Sequence, residues 1–138
     1  MTRRIKQLNR RTRGAALGAF AVTLSLLGAG SVWAHHSFSM FDTRTTVTLE
    51  GTVTEFQWTN PHAYIEVDVT QDDGAVRHWT IELGSPSILM QSGWKFNDIK
   101  PDMEITATVN PLRDGQPGGL LGRVTLPDGR ELGNGPGR

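Results

Sequence analysis

From Thr45 onward the chain alternates apolar and polar residues with a period of two, a pattern that suits half-buried β-strands and no helix. Val47, Leu49, Gly51 and Val53 share one face, opposite Thr46, Thr48, Glu50 and Thr52. The apolar register then slips to Phe56 and Trp58, which predicts a bulge or bend in a long first strand. Gly51 lies in its middle, where a missing side chain permits sharp coiling. After the turn signal Thr59-Asn60-Pro61, a second strand points Ala63, Ile65, Val67 and Val69 inward and Tyr64, Glu66, Asp68 and Thr70 outward. Gln71-Asp72-Asp73-Gly74 reads as a hairpin turn. The third strand sets Trp79, Ile81 and Leu83 against His78, Thr80 and Glu82.

One helix signal interrupts the strands. Ser85 suits an N-cap, Pro86 the first helical position, Ile88-Leu89-Met90 supply apolar bulk, and Gly93 can close the end. Trp94 and Phe96 are expected to pack beneath this helix. Lys100-Pro101-Asp102 turns into a fourth strand carrying Ile105, Ala107 and Val109. Residues 111–119 read as a long Gly/Pro loop, and residues 120–126 as a fifth strand. This order predicts an all-β domain over residues 45–132, a small OB-like five-stranded, partly open Greek-key barrel with one short helix between strands 3 and 4. A plain five-stranded sandwich or roll is the less specific alternative. Residues 133–138, rich in Gly, read as a disordered tail.

The charges are segregated. Residues 1–13 hold six cations and no acid, whereas residues 35–138 hold eight cations and fourteen acids. A basic run, a weakly apolar stretch, and Ser-Val-Trp-Ala ending at Ala34 are the parts of a signal peptide over residues 1–34. The expected product is periplasmic, without stable membrane insertion after cleavage; an uncleaved anchor is the alternative. Residues 35–44 then form an N-terminal arm. With no Cys in the chain there is no disulfide, thiolate metal site or cysteine nucleophile. An acidic domain disfavours nucleic acid, because phosphate attraction needs clustered cations.

Cleavage after Ala34 would free the amine of His35, directly before His36. A terminal amine and imidazole can chelate one ion together, and nitrogen donors in tetragonal geometry suit copper. His62, in the loop between strands 1 and 2, is the expected remote partner, so the metal candidates are His35, His36 and His62. His78, on a strand face, is less well placed. Glu66, Asp68 and Glu82 read as a solvated face that could add at most a weak hard-cation site.

A second constellation pairs two loops. Trp58, Asn60 and His62 lie in one; Arg113, with Asp114 and Gln116, lies in the other. If the loops converge at one rim, Trp58, Asn60, His62 and Arg113 would grip a small anionic ligand or a partner protein's strand. The bland alternative is that Trp58 is core, Asn60-Pro61 is turn chemistry and Arg113-Asp114 is a surface pair. No Gly-rich phosphate cradle, Gly-x-Ser-x-Gly elbow or His-Glu-x-x-His pair occurs, and no residue is assigned a catalytic role.

The strings His35-His36-Ser37-Phe38, Leu49-Glu50-Gly51-Thr52-Val53, Phe56-Gln57-Trp58-Thr59-Asn60-Pro61-His62-Ala63, Gly84-Ser85-Pro86 and Pro111-Leu112-Arg113-Asp114-Gly115 resemble a family of small secreted bacterial proteins, a domain of unknown function. The resemblance runs over nearly all of the chain beyond Ala34. It implies export and one β-rich domain, and supplies no activity, cofactor or catalytic residue. The reading reached is an exported, non-enzymatic binding or accessory protein, with copper held by the three histidines. The alternatives are a metal-independent binding module at the loop rim and a copper-dependent oxidoreductase.

Overall fold

Strands form where the alternation places them. In the computed structural model, which describes residues 38–135, β1 spans Val47–Gln57, β2 Tyr64–Thr70 and β3 Val76–Glu82. The short helix α1 spans Pro86–Gln91, followed by β4 at Glu104–Pro111, β5 at Gly118–Thr125 and β6 at Glu131–Gly133. The described residues from Ser39 onward belong to one compact unit. The expected signal peptide and the histidines His35 and His36 lie outside the described residues.

β1 is long because it serves two partners. Its first half, Val47 to Thr52, pairs antiparallel with β4, and its second half, Thr52 to Gln57, pairs with β2. The register shifts between Val53 and Glu55, where the sequence predicts a bulge. Gly51 marks the bend. A Cβ there would lie 2.4 Å from the Asp68 carbonyl oxygen and 2.7 Å from Val67 Cγ1, so only glycine lets β2 cross this closely.

β2 pairs with β3, β4 with β5, and three residues of β3 run parallel to β5. Around the wall the order is β1-β2-β3-β5-β4 and back to β1, which is the OB-like topology, with α1 between β3 and β4. The parallel seam, Thr80 to Glu82 against Gly118 to Leu120, makes this barrel closed where a partly open one is expected. The seam also shortens the expected loop: β4 runs on to Pro111 and β5 already starts at Gly118. Glycine permits this, since a Cβ at Gly119 would come within 2.9 Å of both the Asn110 carbonyl and Val109 Cγ2.

The core follows the inward alternation. Leu49, Val53, Ile65, Val67, Ile81, Leu83, Ile105, Ala107, Val109, Leu121 and Val124 are all buried. At about 25 cal/mol per Å² of apolar surface removed from water, this continuous interior is the main stabilising term. Ser85 caps α1 by accepting a hydrogen bond from the Ile88 N–H, Pro86 opens the helix, and Gly93 follows it at φ +90°.

Two further expectations differ from the structure. Trp94 packs in the core, 2% exposed, but Phe96 stands out at 72% exposed. The reason is a tight turn: the buried carboxylate of Asp98 accepts from the Lys95 N–H at 2.7 Å and from Arg130 Nη1 at 3.1 Å, leaving Phe96 outside. The segment expected to be a disordered tail is also ordered as far as it is described. Gly133 belongs to β6, its carbonyl accepts from Trp94 Nε1 at 2.7 Å, and Asn134 Oδ1 accepts from the Gly84 N–H at 2.6 Å.

Candidate functional site

Alternation that buries one face of β2 and β3 must present the other. On β2 that outer row is Tyr64, Glu66 and Asp68, paired in register with Glu82, Thr80 and His78 of β3. Cross-strand pairing therefore brings three carboxylates, an imidazole, a hydroxyl and a phenol together. His78 lies between two of the acids. Its Nδ1 is 2.7 Å from Asp68 Oδ1 and its Nε2 is 3.1 Å from Glu66 Oε2. Two carboxylate partners can both accept only from a ring carrying both protons, so this geometry favours the imidazolium. The Asp68 hydrogen bond is the main cause that raises the His78 pKa above its ordinary value, with the charges of Glu66 and Asp68 adding to it. Thr80 Oγ1 donates to the same Glu66 oxygen at 2.7 Å.

At the other end of the row, His62 Nδ1 is paired with Glu82 Oε1, and the Glu82 side chain is only 16% exposed. Tyr64 is opposite Glu82, and its pKa is raised first by burial and then by that negative charge.

A groove of about 430 Å³ opens beside this row. Its floor is Tyr64, His78, Thr80 and Glu82; one wall is Leu112, Gln116 and Pro117 of the β4–β5 loop, and the other is Met40 and Phe41. The N-terminal arm is held in place by backbone bonds. Phe41 forms an antiparallel bridge with Leu112, the Asp42 N–H donates to the Pro111 carbonyl, and the Arg113 N–H donates to Met40. Asp42 then turns the arm into β1: its carboxylate accepts from Thr45 Oγ1 at 2.7 Å and from the Arg44 N–H at 3.2 Å. Those hydrogen bonds, Thr45 first, hold the Asp42 pKa below its ordinary value.

The rim residues expected from the sequence are not gathered into this groove; Trp58, Asn60, His62 and Arg113 are all absent from its lining. Trp58 packs against the core and meets Phe56 edge-on, with ring centroids 5.6 Å apart. Asn60 is exposed next to the cis Asn60–Pro61 bond, in a loop closed by a hydrogen bond from Thr59 Oγ1 to the His62 carbonyl. Arg113 turns to the arm, its Nε donating to the Ser39 carbonyl at 3.0 Å and its Nη1 3.9 Å from Asp42. His62 reaches the groove only through Glu82. His35 and His36 lie outside the described residues. Among the described residues no cluster of three or more His, Cys, Asp or Glu side chains is placed to hold a metal ion. Glu66, Asp68 and Glu82 instead face histidines.

Sequence reasoning reaches Tyr64, Thr80 and Glu82 only as members of a solvated strand face. The signal available was the polar row itself, since OB-like barrels bind on the face of strands 2 and 3. What closes the groove, an arm seated on the β4–β5 loop, has no periodic signature.

No curated protein matches the chain. Among solved structures, it is similar to the mitochondrial single-stranded DNA binding protein Rim1 of S. cerevisiae. The two are 12% identical with a TM-score of 0.43, over 66% of this chain and 97% of that one. A family model matches residues 24–123, which include β1 to β4, the arm and most of β5. The chain belongs to that family, the Family of unknown function (DUF6152).

Proposed function

We propose that this protein is an exported, non-enzymatic binding module that takes a small ligand, or a short segment of a partner protein, in the groove between β2–β3, the β4–β5 loop and the N-terminal arm. The observation that carries the reading is the convergence of three chain segments on one concavity that joins a polar floor to largely apolar walls, a make-up suited to a ligand site. Glu82 on its floor, with Glu66 and Asp68 farther along the same sheet face, opposes a phosphate backbone. Export rests on the basic, apolar and small-residue pattern of residues 1–34.

The test is a ligand-observed NMR screen of a small-fragment panel against the full chain and against Gln116→Trp, which fills the groove from its loop wall. Fragments should bind the native chain and lose binding in the variant. Equal binding to both would contradict the groove assignment.

Copper binding through His35, His36 and His62 is the second reading, favoured by one contact. A carboxylate on Nδ1, as Glu82 is on His62, orients an imidazole so that Nε2 is presented to a ligand. Copper titration followed by EPR should show nitrogen hyperfine structure that His62→Ala weakens; a signal unchanged by that substitution would remove His62 from the site.

A further inference from the structure

Resting on the groove reading above, we propose that the occupant is an organic cation with an apolar stem, an alkylammonium or guanidinium group whose charge meets Glu82. Three features of the groove argue for it. The first is charge: Glu82 lines it, and no Lys or Arg does. Beyond the lining, Glu66 and Asp68 take up the His78 ring and His62 pairs with Glu82, so over the whole outer row three carboxylates outnumber two imidazoles. The second is desolvation. Glu82 is largely removed from water, which strengthens its field, and its Oε2 takes no hydrogen bond from the described residues. The third is the shape of the chemistry around that carboxylate. Tyr64 supplies an aromatic ring next to it, suited to a cation, while Met40, Leu112 and Pro117 offer hydrocarbon to a stem. An anionic ligand would approach Glu82 with like charge, and the base in the lining, His78, is already held by Asp68 and Glu66.

The cation has two sources with one chemistry, a free amine and the basic side chain of a peptide. Three probes of equal stem isolate the head group: n-hexylammonium, hexanol and hexanoate, each titrated into the full chain by NMR at low salt. Hexylammonium should bind about tenfold more tightly than hexanol, the size expected of one charge-assisted hydrogen bond, with hexanoate weakest. Glu82→Gln, which keeps a partner for His62, should erase the advantage of hexylammonium over hexanol. Gln116→Trp should abolish binding of all three. Equal binding of the three probes to the native chain, each lost in Gln116→Trp, overturns the cation assignment and leaves the groove standing. Binding of all three that Gln116→Trp does not change overturns both. An acetyl-lysine-amide probe with a free ε-amine that binds more tightly than hexylammonium identifies a peptide side chain as the source; the reverse order identifies a free amine.

Discussion

At the residue scale, His78 is the best-defined electrostatic device in the molecule. Its ring touches Asp68 and Glu66 at once and is the ion-pair partner of both acids among the described residues. Because folding raises the His78 pKa, this triad contributes fully below the ordinary imidazole value near 6.5. The contribution fades as the pH climbs through the folded value. An NMR titration of the His78 ring should give a pKa above the ordinary value, and Asp68→Asn should lower it; an unchanged pKa in that variant would mean the Asp68 contact is absent in solution. Gly51 is the other decisive residue. Replacing it with alanine drives a methyl group into the Asp68 carbonyl, so urea unfolding of Gly51→Ala should show a loss of at least about 2 kcal/mol.

At the element scale, the strands were the most legible feature, because period-two alternation is a local property that burial enforces. Each inward position expected of the second strand, Ala63 just before β2 and Ile65, Val67 and Val69 within it, is buried. The cap at Ser85 was legible for the same reason: it depends on four consecutive residues. β6 was not. Glu131–Gly133 is too short for a periodicity; it pairs antiparallel with β5, and Trp94 bonded to Gly133 and Gly84 bonded to Asn134 tie this end to distant parts of the chain. Those contacts are measurable. Asn134→Ala removes the acceptor for the Gly84 N–H and should cost about 1 kcal/mol, and ending the chain after Leu132 should cost about 2–3 kcal/mol by also removing the acceptor for Trp94. Melting curves superimposable on that of the full chain would show that this segment is not part of the fold.

At the scale of the whole molecule, the barrel order was readable but the groove beside β2 and β3 was not. The sequence expectation joined Trp58, Asn60, His62 and Arg113 because two loops were expected to meet. Arg113 instead holds the N-terminal arm, and that arm builds the groove wall. Such long-range seating depends on hydrogen bonds between residues about 70 apart, which no local pattern encodes. The same tertiary closure turns an unremarkable polar row into a lined concavity carrying one desolvated acid. A backbone amide shift map of the full chain during titration with n-hexylammonium bears most directly on this surface. The changes should concentrate at Met40, Tyr64, Thr80, Glu82 and Gln116. Changes confined to the segment from Trp58 to Asn60, or to α1, would contradict it.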